Sequence, residues 1–190
     1  MKKTLRFIVD ILEIVLGVAA LSFVILKFLL FPCVVDGRSM NPTLQDGDRG
    51  YSFIITKIIG IKRFDIVVIN VGSDGEDKNI VKRVIGLPND TIEYKDNQLY
   101  INDVFVKEEY LGDVHTEDFI VTLAEDEYYC LGDNRDISKD SRYYGPFSSD
   151  QIISTNMFII SPKEDFGVKK WQFNGFLDIC KKQEGKWKNN

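Results

Sequence analysis

Ser39 lies in the segment Asp36-Gly37-Arg38-Ser39-Met40-Asn41-Pro42-Thr43-Leu44, and Lys82 in Asn79-Ile80-Val81-Lys82-Arg83-Val84-Ile85-Gly86. A serine hydroxyl is a poor nucleophile until a neighbouring base takes its proton. The one histidine, His115, sits in the polar stretch 111–118 and reads as a surface-loop residue, which leaves a Ser-His-Asp triad without support. Lysine can serve instead where burial disfavours its charged form and brings its pKa toward the working pH. Strand alternation puts Lys82 on one face with Ile80 and Val84, so it points the way apolar residues point, while Arg83 faces the other side. A structural explanation stands beside each: Ser39 could cap a helical turn, and Lys82 could blunt an edge strand.

The flanking residues are also informative. Gly37 lets the backbone approach a ligand closely, and Pro42 stiffens the loop after the serine. Met40 could pack against apolar substrate residues or lipid, or lie in the core. A third polar island runs Gly132-Asp133-Asn134-Arg135-Asp136-Ile137-Ser138-Lys139-Asp140-Ser141-Arg142-Tyr143-Tyr144-Gly145. Its acids do not have the spacing of a calcium loop, and its two arginines oppose a cation site. An internal ion-pair network fits better, with Asp133, Asp136 or Asp140 paired to Arg135 or Arg142.

The elements that would position these groups begin with an apolar run. From Ile11 to Phe31 the chain is broken only by Glu13 and Lys27, and about 20 helical residues span a hydrocarbon core. Lys2, Lys3 and Arg6 precede it, so the positive-inside rule predicts an N-terminus in the cytoplasm and everything after Phe31 outside, in a single-pass membrane protein. The run is long for a cleavable signal peptide and does not end at small residues. Past it, β-branched and aromatic runs alternate with turn residues, predicting an antiparallel β-rich domain. Candidate strands are Ile54–Ile59, Ile66–Val71, Ile80–Ile85, Thr91–Tyr94, Gln98–Ile101, Phe119–Leu123, Glu127–Leu131 and Ile153–Ile160. Asp96-Asn97 and Asn102-Asp103 read as hairpin turns, and Ser148–Gln151 as a short capped helix. The fold class expected is therefore mainly β, one transmembrane helix followed by an antiparallel β domain. The divisions are 1–10 cytoplasmic, 11–31 anchor, 32–162 β-rich domain and 163–190 a tail without strong periodicity.

Charge and cysteines narrow the function classes. The net charge of −5 hides a positive first segment, with Lys2, Lys3, Arg6 and Lys27 against Asp10 and Glu13, so that about −7 falls on the rest. An acidic outer domain is a poor nucleic-acid binder. Cys33, Cys130 and Cys180 are widely spaced, with no zinc or disulfide pattern, and read as free or buried thiols.

The segments S-M-x-P-T-L, K-R-V-x-G-x-P-x-D and G-D-N-R-D-x-S-x-D-S-R, in this order, resemble bacterial signal peptidase I of the Gram-positive type, from the anchor to about Ser161. The resemblance implies a Ser/Lys protease that removes signal peptides from exported preproteins after small residues of A-x-A type, without metal or cofactor. Its partners would be signal peptides and the lipid bilayer. It implies Ser39 as nucleophile, Lys82 as general base, and Ser138 orienting the amine. It also implies an Asp140–Arg142 salt bridge and structural roles for Asp133 and Arg135. Ser39 would give its own N–H to the oxyanion hole, with Gly37 where some members carry a second, hydroxyl donor; Met40 and Pro42 would contact substrate. Arg38 and Ile137 depart from the usual residues. Two other readings stay open: a non-catalytic chaperone or assembly factor on the same fold, and a peptidase for one dedicated partner.

Overall fold

The computed structural model describes residues 2–54, 60–72 and 78–160. Helix α1 (Lys2–Leu29) opens the chain; its described side chains are exposed as far as Lys27, and Leu29 is half-buried. Its stretch Lys3–Val24 is long and apolar enough to cross a membrane, and none of the described residues buries it. The helix passes into strand β1 (Leu30–Val34) with no intervening residue. Leu30 and Phe31, expected in the anchor, therefore belong to a sheet, and Ile54 N–H bonds to the carbonyl of Leu29 at 2.9 Å across that junction.

Ten further strands follow among the described residues: β2 (Arg49–Phe53), β3 (Ile66–Asn70), β4 (Asn79–Gly86), β5 (Thr91–Lys95), β6 (Gln98–Ile101), β7 (Val104–Val106), β8 (Phe119–Thr122), β9 (Glu127–Leu131), β10 (Phe147–Ser148) and β11 (Ile152–Ile159). They form two antiparallel sheets, ordered β1-β2-β11-β3-β4-β9-β10 and β7-β6-β5-β8. The expected strand 54–59 lies outside the described residues beyond Ile54, which is in a turn; the strand nearest to it, β2, ends at Phe53. The two anticipated hairpins are present, with Asp96, Asn97, Asn102 and Asp103 all at positive φ (51°, 60°, 50° and 65°). Consecutive left-handed residues match the twist of a tight hairpin, which explains the Asn and Asp. Ser148 caps a 3-10 turn over Ser149–Gln151 through a reciprocal box with Gln151. A four-residue helix α2 (Ser141–Tyr144) has Asp140 as its cap. The tail 163–190 lies outside the described residues.

The core falls into three clusters. Ile92, Tyr94, Leu99, Ile101 and Val106 of the small sheet pack on Ile85 and Leu131 of the large one and on Phe64 in the turn before β3. Val67, Ile69, Val84, Cys130, Phe147 and Ile152 form a second cluster. Val35, Met40, Leu44, Val68 and Met157 form the third, beside the entry to the domain. Gly86 lies where the small sheet packs tightly on the large one, since a Cβ there would lie 2.2 Å from Ile92 Cδ1 and 2.7 Å from Leu123 Cδ1.

Candidate active site

The segment after β1 is a closed loop. Val35 N–H donates to Asp48 O at 2.8 Å and Gly47 N–H to Val35 O at 2.9 Å, pinning its two ends together. Within it Asn41 N–H donates to Arg38 O (3.2 Å) and Leu44 N–H to Met40 O (2.9 Å), so residues 38–44 coil into turns. Met40 and Leu44 drop from those turns into the third core cluster. Ser39, next to a residue locked in the core, is held half-buried on the rim.

Lys82 reaches that rim from the middle of β4, where it pairs with Val67 of β3. It is 3 % exposed. Its Nζ donates to Ser39 Oγ at 2.8 Å and to Val81 O at 2.8 Å. Burial brings its pKa down to about 8, against the opposing pull of Asp140 and Asp133. An unperturbed lysine would be neutral about once in 3,000 molecules at pH 7, whereas this amine is neutral in about a tenth of them. The hydroxyl therefore has a proton acceptor within hydrogen-bond reach.

The polar island forms the third wall. Asn134 N–H donates to Ser39 O at 3.0 Å. A Cβ on Gly132 would stand 2.2 Å from Ser138 Oγ and 2.5 Å from Ser39 O, so only glycine lets this loop lie against the serine. Gly132 N–H in turn donates to Asp140 Oδ2 at 3.0 Å. Asp140, fully buried, takes both arms of the Arg142 fork at 2.9 Å each, and Arg142 also donates to Arg135 O at 2.7 Å. The Asp140–Arg142 pair was expected; the partners of Asp133 and Arg135 were not. Asp133 binds Arg83, with Nε to Oδ1 at 2.8 Å and Nη2 to Oδ2 at 2.6 Å, and it also accepts the Thr43 hydroxyl at 2.5 Å. Arg135 binds Glu108 at 2.5 Å. Asp136 is exposed and accepts only a 3.4 Å bond from the backbone of His115, itself exposed.

Three expected roles are placed differently. Ser138 Oγ is buried beside Gly132 but makes no hydrogen bond, and the second acceptor of the Lys82 amine is the Val81 carbonyl. Gly37, at φ 95°, spends its only donor on Asp46 Oδ1 at 2.8 Å, so it is not a free oxyanion donor here; Ser39 N–H, by contrast, has no acceptor among the described residues. Met40 is 1 % exposed and is a core side chain, offering substrate no surface, while Pro42 is exposed on the same loop. Arg38 is exposed. Sequence reasoning missed Thr43, Arg83, Glu108 and the Val81 carbonyl. The Lys82-Arg83 doublet carried a signal for one of them, since an arginine in mid-strand needs a partner.

Among the described residues no cluster of three or more His, Cys, Asp or Glu could hold a metal ion. Cys33 is half-buried, Cys130 buried, and both are free.

The family model for "Signal peptidase, peptidase S26" matches residues 8–161. Signal peptidase I of Bacillus amyloliquefaciens is 40% identical over 168 residues, covering 82% of this chain and 89% of that protein. Signal peptidase I S of Bacillus subtilis (strain 168) is 42% identical over 156 residues, covering 75% and 83%. Signal peptidase IB of Staphylococcus aureus (strain MRSA252) is 34% identical over 188 residues, covering 87% and 95%.

Proposed function

The chain belongs to the signal peptidase family, peptidase S26, and from that premise we propose that it is a serine endopeptidase cleaving signal peptides from exported preproteins, with Ser39 as nucleophile and Lys82 as base. One observation carries the assignment of residues: the nearly inaccessible Lys82 amine, with its pKa brought down to about 8, donates to Ser39 Oγ at 2.8 Å. The neutral amine takes the serine proton as Oγ adds to the scissile carbonyl. The oxyanion that forms is met by Ser39 N–H. The resulting ammonium returns the proton to the leaving nitrogen and the mature protein departs. A water, deprotonated by the same amine, then frees the signal peptide from Ser39. Ser138, whose buried hydroxyl lies beside Gly132, would orient the amine, the role its place in the motif implies.

The N-terminal helix fits a membrane anchor. Lys2, Lys3 and Arg6 ahead of the apolar stretch support an N-terminus inside and residues 32–162 outside, with 163–190 a separate tail. The resemblance further supports an extended substrate segment docking as an added strand, with shallow pockets taking small side chains before the cut.

The test is cleavage of a preprotein with an A-x-A site in detergent or vesicles. Wild type is expected to cut after the small residue, and Ser39→Ala and Lys82→Ala to lose turnover. Because the base must be neutral, kcat/KM should rise about tenfold per pH unit up to about pH 8 and then level. Full activity in Lys82→Ala would overturn the assignment. Binding without turnover in the wild type would favour the chaperone reading.

A further inference from the structure

The loop after β7 turns a carboxylate into the interior. Lys107 and Glu109 are exposed and pair with each other, but the Glu108 side chain between them is 6 % exposed. Its carboxylate is fully engaged. Tyr94 OH donates to Oε2 at 2.5 Å, Tyr110 OH to Oε1, and Arg135 Nη2 to Oε1 at 2.5 Å, with Arg135 Nη1 3.3 Å from Oε2. Burial and the adjacent Glu108 charge push both phenols well above their usual range, so they remain donors.

The two arginines around this carboxylate lead to the two sides of the dyad. Arg135, whose side chain is fully buried, donates from Nε to Gly132 O at 3.0 Å. Gly132 is the residue that lies against both Ser39 O and Ser138 Oγ. The Arg83 guanidinium lies 4.0 Å from the Tyr110 ring centroid, and Arg83 binds Asp133, which holds Thr43 in the loop of the nucleophile. Arg83 also follows Lys82 directly on β4. A chain of polar contacts thus leaves Glu108 by two routes and closes on the Ser39 loop by both.

We propose that Glu108 is a positioning residue for the Ser39–Lys82 pair, holding the 132–142 loop against Ser39 through Arg135 and steadying Arg83 through Tyr110. The proposal rests on the assignment of Ser39 and Lys82 as the catalytic pair. A carboxylate is required because a neutral group would leave the Arg135 charge buried without a counter-ion, and a buried unpaired charge moves toward water. It is held by the small sheet and its outgoing loop, which touch neither reacting group, so its effect on catalysis is indirect.

Opening of the 132–142 loop would admit water to Lys82. Burial is the largest influence on that amine, opposed by Asp140, Asp133 and Cys130 and aided by Arg142. Hydration would therefore raise the pH at which the amine becomes neutral, and the effect exceeds what is lost as Asp140 and Asp133 withdraw.

The experiment uses the full chain in detergent micelles with an A-x-A preprotein, measuring kcat, KM and the pH profile of kcat/KM for wild type and Glu108→Gln. Wild-type turnover and its loss in Lys82→Ala check the underlying assignment separately. For Glu108→Gln that melts cooperatively, kcat is expected to fall about tenfold to a hundredfold, with KM within about twofold and the midpoint displaced upward by at least about half a pH unit. A folded Glu108→Gln with the wild-type midpoint overturns the proposal, whatever its kcat, because a merely structural role changes the amount of active enzyme and not its titration. If Glu108→Gln does not fold, Tyr110→Phe decides. It removes one hydroxyl and leaves no charge unpaired, so an upward midpoint supports the proposal and an unmoved one overturns it.

Discussion

Lys82 stays buried at a cost to folding that the proposed chemistry requires. Its pKa in the folded protein, about 8, lies below the ordinary 10.5. The unfolded chain therefore binds the proton more tightly, the penalty is complete below pH 8, and it fades between 8 and 10.5 as the unfolded lysine also deprotonates. Lys82→Met should accordingly be more stable than the parent at pH 7, by on the order of 3 kcal/mol, with the gain gone above about pH 10.5; thermal melts at several pH values check this. Gly132→Ala places a carbon 2.2 Å from Ser138 Oγ and 2.5 Å from Ser39 O. It should lower kcat about a hundredfold through displacement of the serine, seen in steady-state kinetics against an unchanged far-UV spectrum. Ser39 and Lys82 as the candidate pair were legible in the sequence through local traces: a lysine on an apolar strand face, and a serine flanked by glycine and proline. Glu108 left none. Its neighbours 107 and 109 are ordinary surface charges, and the arginine that defines it lies 27 positions away.

Among the elements, the strands that could be read were those with β-branched or aromatic runs between turn residues. β3, β4, β5, β6, β8, β9 and β11 all carry β-branched or aromatic runs, and the Asp-Asn and Asn-Asp turns set the register of the small sheet. In β1, the first two residues were read as the end of the anchor, and Pro32–Val34 were assigned no strand. Its Leu-Phe-Pro-Cys-Val continues the apolar run, and Pro32 argues against a strand except at a sheet edge, which is where β1 lies. In β2, Arg49-Gly50-Tyr51-Ser52-Phe53 looks polar because Gly50 serves the approach of β11: a Cβ there would fall 1.9 Å from Phe158 O. β10 has only two residues and no pattern to detect. β4 carries Lys82 on one face and Arg83 on the other, and Arg83 ties it to the island after β9. Arg83→Leu should destabilise the domain by about 3–5 kcal/mol by stranding the Asp133 carboxylate, and the double variant with Asp133→Leu should recover part of the loss. Chemical denaturation of the three variants measures the coupling.

For the molecule as a whole, the predicted topology places its acidic domain and its basic leading segment on opposite sides of the bilayer. Protease added outside sealed cells or right-side-out vesicles should digest an epitope placed after residue 160 and spare one placed before residue 2; the reverse pattern would invert the orientation. The direct passage of α1 into β1, fastened by Ile54 N–H on the Leu29 carbonyl, removes the slack that a linker would give between anchor and domain. With about 1.5 Å of rise per helical residue and a rigid sheet beyond it, the height of Ser39 above the hydrocarbon is set by the bilayer as much as by the protein. Longer acyl chains would draw the serine down toward the headgroups and shorter ones would lift it away, so the enzyme should act as a gauge of membrane thickness, its rate peaking at one lipid length.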